Sequence, residues 1–189
     1  MEAQDKAPIN RRQFFLEGFS SFKDLAVDLL SIQFSLAQEG RLRPPGALEE
    51  TAFLAVCTRC GKCVDACSYR AIKLVDAENG FAFRTPIISP RETPCYLCLE
   101  CIPACPDGAL LPLPKEKVRM GTAQLDRDAC LAWQGHYCQT CVNRCPLSGS
   151  ALVLEDLRNP VVNSEQCVGC GVCEYVCLTY PPAIRVKPQ

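Results

Sequence analysis

Sixteen cysteines among 189 residues constrain this chain more than any other feature, and they fall into four groups of four with none left over. The first group is Cys57, Cys60, Cys63 and Cys67, and the second is Cys95, Cys98, Cys101 and Cys105. The third is Cys130, Cys138, Cys141 and Cys145, and the fourth is Cys167, Cys170, Cys173 and Cys177. Three groups read C-x2-C-x2-C-x3-C. In the third, Cys130 is set back by residues 131–137, an insertion that carries Trp133 and the only histidine, His136.

Three chemistries use cysteine at this density. Disulfide scaffolds need an oxidising compartment and place no premium on two-residue spacing. Zinc sites use paired C-x2-C knuckles separated by longer spacers or mixed with histidine, whereas here a third cysteine follows at once. The repeated run is that of bacterial ferredoxins. Three thiolates at two-residue intervals wrap one corner of a cubane, and the fourth points away towards a neighbouring cluster, so the groups work in pairs. A proline turns the chain after the fourth cysteine at Pro106 and Pro146, with Ser68 and Leu178 in the other two groups. Sixteen thiolates suit four [4Fe–4S] clusters and an electron conduit.

The rest of the composition agrees. Fifteen prolines and eleven glycines favour turns over long elements. The formal charge is −1; four oxidised clusters at about −2 each would bring the holoprotein near −9, a field that steers docking to a basic partner. No basic patch points to nucleic acid. Segments beginning at Ala71, Ala109, Ala151 and Ala183 follow the four groups at equivalent places and run apolar, which predicts short strands. The expected fold is α+β with little regular secondary structure, two bacterial ferredoxin-like 2[4Fe–4S] units and an added N-terminal helix. Residues 1–50 form the helix and linker, and residues 51–189 the four-cluster domain.

Asn10-Arg11-Arg12-Gln13-Phe14-Phe15-Leu16 is similar to a twin-arginine export motif. A signal peptide requires an uncharged apolar stretch next, and Glu17, Lys23, Asp24 and Asp28 stand there instead. Phe15, Phe19, Phe22, Ala26, Leu29 and Leu30 recur at helical spacing, so residues 11–39 read as a retained amphipathic helix. It would cover the chain's own clusters or dock another subunit. The expected location is cytoplasmic, with twin-arginine export to the periplasm as the alternative. No run of 18 apolar residues exists to span a membrane. Arg41-Leu42-Arg43-Pro44-Pro45-Gly46 reads as a linker.

From Leu42 to Pro188 the chain resembles the MauM/NapG-type polyferredoxins. The resemblance rests on Leu42-Arg43-Pro44-Pro45-Gly46-Ala47-Leu48, Cys57-Thr58-Arg59-Cys60-Gly61-Lys62-Cys63, the extended third group, and Cys167-Val168-Gly169-Cys170-Gly171-Val172-Cys173. It implies either an exported ferredoxin in a periplasmic quinol-to-reductase chain or an electron-transfer subunit beside a larger redox enzyme. The enzyme subunit is the expected role, with a tungsten, molybdenum or flavin partner, aldehyde-oxidising ones included, or further copies of the same chain. Four-cluster subunits of molybdenum enzymes also resemble the chain, and they nest their motifs. Nesting implies the ligand sets Cys57, Cys60, Cys63, Cys177; Cys167, Cys170, Cys173, Cys67; Cys95, Cys98, Cys101, Cys145; and Cys130, Cys138, Cys141, Cys105. A hairpin-like stretch at Gly121–Leu125 favours pairing the second and third groups, while a hairpin over residues 151–162 would allow sequential pairing.

No acid–base pair, nucleophile constellation or phosphate loop stands out, so the chain is expected to have no catalytic residues of its own. Gly61, Gly169 and Gly171 either admit close backbone approach to sulfur or permit tight turns. Arg59 and Lys62 flank the first cluster as solvated charges or partner contacts. Trp133, His136 and Tyr137 cover the third group or mark a surface. A free shuttle ferredoxin and a zinc-binding interaction protein are the competing functional classes.

Overall fold

The computed structural model describes residues 40–189, which form one compact unit, Gly40–Gln189. The amphipathic helix expected over residues 11–39 lies outside the described residues. Within the unit the secondary structure is short throughout, as the proline and glycine content requires. The helices are α1 (Glu50–Val56), α2 (Lys62–Asp65), α3 (Thr140–Arg144) and α4 (Val172–Tyr175). The strands are β1 (Ile72–Leu74), β2 (Pro86–Ile88), β3 (Gly121–Leu125), β4 (Leu152–Glu155), β5 (Asn159–Val162) and β6 (Ile184–Pro188). They pair as three antiparallel two-stranded sheets, β1 with β2, β3 with β6 and β4 with β5.

The pairing divides the unit into two similar halves. In each, a hairpin follows the first cysteine group, β1–β2 in one and β4–β5 in the other. In each, the segment entering the half also pairs with the segment leaving it. In the second half this outer pair is β3–β6, with Gly121 opposite Pro188 and Leu125 opposite Ile184. In the first half it shrinks to an Ala47–Leu110 bridge, with Leu48 N–H donating to Ala109 O (3.1 Å) and Leu111 N–H to Gly46 O (2.6 Å).

Two segments differ from expectation. Gly121–Leu125 is no local hairpin between the second and third groups, because its partner is β6 at the far end of the chain. Residues 41–46 are no linker either. Leu42 is buried and its carbonyl accepts from Ile88 N–H (2.8 Å), while Pro44 and Pro45 are fully buried. The Arg43 guanidinium is buried over the Phe53 ring, 4.7 Å from its centroid. It donates to both Glu50 carboxylate oxygens (2.6 and 2.8 Å), to Thr85 Oγ1 (2.9 Å) and to Pro86 O (2.8 Å). A planar five-donor fork satisfies that many acceptors at once, which an ammonium could not. Gly46 has a left-handed φ of 79°, and a Cβ there would stand 2.3 Å from Leu111 O, so only glycine closes this turn.

The apolar core is thin and interleaved with cysteine. Around the first half, Phe53, Ile72, Ile88, Leu110, Val118 and Met120 pack with Cys63, Cys95 and Cys101, and Val168, Cys170 and Val172 of the second half join them. The second half packs Ala123, Val142, Ala151, Leu152 and Ile184 with Cys141, Cys167 and Cys173. Arg91 ties the halves by donating to the carbonyls of Glu174, Tyr175 and Cys177 at the end of α4.

Candidate cluster sites

Every cysteine lines one of four cavities, four to each. Cys57, Cys60, Cys63 and Cys105 surround the first, an empty space of about 340 Å³ including its opening to solvent. Cys67, Cys95, Cys98 and Cys101 surround the second, about 310 Å³. The third, about 360 Å³, is lined by Cys130, Cys138, Cys141 and Cys177. Cys145, Cys167, Cys170 and Cys173 line the fourth, about 330 Å³.

These sets correct the nested pairing. Cys105, not Cys177, completes the first set, and Cys67 completes the second in place of Cys145. Cys177 completes the third and Cys145 the fourth. The reason is local. Each fourth cysteine lies one turn beyond the third, where the turn reverses its side chain: Cys67 N–H donates to Val64 O, Cys105 to Ile102 O, Cys145 to Val142 O and Cys177 to Glu174 O. It can reach only the cavity packed behind its own, and the hairpins β1–β2 and β4–β5 fold the next group onto that face. The partner of each group is therefore its neighbour in sequence.

The loops that present the sulfurs share one backbone device. In the three regular groups the second and fourth residues after the first cysteine are left-handed: Arg59 and Gly61, Leu97 and Leu99, Gly169 and Gly171. Alternating handedness coils the chain tightly enough to bring three thiols to one void. Only glycine does this freely, so Arg59, Leu97 and Leu99 hold a conformation that costs a non-glycine residue about 1 kcal/mol each. Gly61 lines the first cavity at a left-handed φ of 79°, and apart from its chain neighbours no protein atom lies within 4 Å of where its Cβ would stand.

The third group reaches the same geometry by another route. Its insertion folds back through hydrogen bonds from Gln134 N–H to Cys130 O (3.0 Å) and His136 N–H to Leu131 O (2.9 Å). Trp133 Nε1–H donates to Pro160 O (3.1 Å) on β5, and the Arg127 guanidinium stacks 4.2 Å from the Trp133 ring. Leu131 and Pro160 both line the cavity, so the insertion walls it while His136 and Tyr137 face solvent. Arg59 lines the first cavity and donates to the carbonyls of Phe81 (3.0 Å) and Phe83 (3.1 Å); Lys62 is exposed.

The cavities suit a polynuclear core. All sixteen cysteines are free. Among the described residues no three of His, Cys, Asp or Glu converge on a point where they would grip a single ion; four spaced thiols ring each void instead. Burial foremost, with repulsion from neighbouring thiolates, pushes Cys63 up to about 11 and Cys101 and Cys141 up to about 12. Burial likewise raises Cys95 to about 12 and Cys170 to about 11. Four thiolates around one void, one to three of them buried, repel one another unless a cationic iron core lies between them. At Cys177 burial is outweighed by donors: the Thr179 hydroxyl at 3.2 Å and backbone N–H groups hold the thiol below its ordinary value. Ala71, Leu97 and Ala123 N–H groups point at Cys67, Cys95 and Cys167 sulfurs (3.3 to 3.5 Å). Such donors set cluster potentials.

Sequence reasoning missed Thr179, whose hydroxyl also accepts from Ala183 N–H (2.8 Å), and Thr58, which donates to Asp107 (2.5 Å) at the rim of the first cavity. It also missed Tyr69 and Tyr96, which stack 4.6 Å apart beside the second. Each lies one or two residues from a cysteine, but nothing in the spacing singles it out.

Comparison with known proteins agrees with this geometry. A 4Fe-4S dicluster domain matches residues 56–109, the first half with both its cysteine groups, and a 4Fe-4S binding domain matches residues 164–180. The ferredoxin-type protein NapG of Escherichia coli is 41% identical over 174 residues, covering 84% of this chain and 75% of its own. The methylamine utilization ferredoxin-type protein MauM of Paracoccus denitrificans is 44% identical over 161 residues, covering 78% and 71%. MauM of Methylorubrum extorquens is 38% identical over 204 residues, covering 99% and 92%. This chain belongs to the MauM/NapG family. It is an iron–sulfur electron-transfer protein of ferredoxin type that binds [4Fe–4S] clusters, and not a catalytic enzyme. No solved structure matches it. Among the described residues no helix is long and apolar enough to cross a membrane.

Proposed function

We propose that this MauM/NapG-family protein relays single electrons through four [4Fe–4S] clusters between a donor and a partner redox enzyme. The gathering of sixteen cysteines into four cavities of four carries the reading. The ligands would be Cys57, Cys60, Cys63 and Cys105; Cys67, Cys95, Cys98 and Cys101; Cys130, Cys138, Cys141 and Cys177; and Cys145, Cys167, Cys170 and Cys173. Bound clusters supply reversible one-electron storage, and the protein's part is to hold each core, exclude water from it and aim N–H groups at its sulfurs.

The likeness to the ferredoxin-type proteins NapG and MauM supports, as the first reading for this chain, an exported ferredoxin in a quinol-to-reductase chain. A cytoplasmic subunit of a tungsten or molybdenum oxidoreductase, aldehyde-oxidising included, is the second reading. Glu17, Lys23, Asp24 and Asp28 favour it, since they interrupt the apolar stretch an export signal requires. Anaerobic purification from the native host, with fractionation and identification of co-purifying proteins, separates the two. The first expects the protein in the periplasmic fraction; a retained protein bound to a tungsten or molybdenum subunit would reject it. About sixteen irons per chain are expected either way, and zinc in their place would reject both.

A further inference from the structure

Resting on the cluster reading above, we infer that the four sites stand in the order first, second, fourth, third. They join across the halves where Cys95 N–H donates to Cys170 O at 2.9 Å, so the first and third sites form the two ends of the relay.

Within each half, adjacency follows from single turns of chain. Cys63 and Cys67 lie one turn apart and serve the first and second cavities, as do Cys105 and Cys101. Cys141 and Cys145, and likewise Cys177 and Cys173, serve the third and fourth. The order is then decided by which members meet between halves. The bond from Cys95 to Cys170 links a lining residue of the second cavity directly to one of the fourth. The loop bearing Cys170 is sunk into the first half: Val168, Cys170 and Val172 belong to its core, and Met120 N–H donates to Val168 O (3.1 Å). Gly171 faces Pro90 so closely that a Cβ would stand 2.4 Å from the proline ring. Only a glycine at this left-handed position allows that approach.

Burial at the first and fourth sites agrees, as does surface character at both ends; the second and third sites have two buried cysteines each. Three of the four cysteines around the fourth cavity are buried, whereas around the first only Cys63 is buried and Cys60 is exposed. Among the described residues, five large apolar side chains are at least 70% exposed: Phe81 (82%), Tyr137 (87%), Leu157 (85%), Leu178 (70%) and Tyr180 (91%). All five flank the proposed ends. The Phe81 carbonyl receives Arg59 of the first cavity. Tyr137 adjoins Cys138, the Leu157 carbonyl receives Gln139, Leu178 lines the third cavity, and Tyr180 follows its Thr179.

Electron paramagnetic resonance of reduced holoprotein tests the order, because neighbouring reduced clusters couple their spins. Cys138→Ala strips the third site. It should lose about four of about sixteen irons and leave the remaining three mutually coupled. Cys167→Ala strips the fourth and should leave the third as an isolated, uncoupled rhombic signal. An isolated signal in Cys138→Ala and none in Cys167→Ala would overturn the order. Should a variant fail to fold, iron-edge anomalous diffraction from intact holoprotein reads the order directly, and a third core lying between the second and fourth would overturn it. Wild-type protein without iron would bring down the cluster reading and the order with it; sixteen irons in another order would bring down the order alone.

Discussion

The two halves hold similar pairs of cavities with different scaffolding. The second half closes its outer pair with a full two-stranded sheet, β3–β6, five residues to a side. The first makes one bridge at Ala47–Leu110 and compensates with side chains: buried Arg43 paired to half-buried Glu50, two buried prolines and the glycine turn at Gly46. The contrast reverses at the cysteine loops. Left-handed residues alone coil the groups of the first half, whereas the third group needs Trp133 anchored on β5. Backbone pairing and buried side-chain anchoring are thus interchangeable ways of holding a segment beside a cluster. What both halves share is the turn that sends each fourth cysteine to the neighbouring cavity.

Removing iron is expected to erase the difference between the halves. Eight cysteines are buried among the core residues, and without a metal core their cavities have nothing to fill them. Chelation under reducing conditions should abolish most secondary structure in both halves together, read by far-ultraviolet circular dichroism. A metal-free chain retaining either half would break the symmetry. Acid should act in the same direction. Protons compete with iron for the ligand thiolates. Cluster absorbance should therefore be stable near neutrality and bleach as pH falls.

Smaller changes should separate the halves. Arg43→Ala leaves Glu50 and Thr85 without their shared donor, and should cost about 3 kcal/mol in denaturant unfolding of the holoprotein. The first site should shed iron faster than the third. Gly46→Ala forces a Cβ against Leu111 O at a left-handed φ and should cost about 2 kcal/mol in the same measurement, again in the first half. Trp133→Phe removes one hydrogen bond to Pro160 O and should cost only about 1 kcal/mol, with iron lost first from the third site. If Arg43→Ala loosened the third site as much as the first, the halves would be one cooperative body.

The cavities are legible in the cysteine spacing itself. Thiolates at two-residue intervals converge because a tight loop allows nothing else, and the apolar runs after Ala71, Ala151 and Ala183 do form β1, β4 and β6. The run after Ala109 falls short of a strand, since only Leu110 finds a bridge. Arg41 to Gly46 escapes such reading because prolines, a glycine and two arginines look like solvated linker until Phe53, Glu50 and Thr85 are brought to meet Arg43.

Sequence alone therefore determined the type of site, the number of thiols and the device that groups them, because those depend on covalent spacing and local backbone geometry. Tertiary structure decided which fourth cysteine completes which cavity, and which cavity faces which across the halves. Both are questions of long-range packing. The close contacts of Gly171 with Pro90 and of Cys95 with Cys170 join residues far apart in the chain, and no local pattern records them.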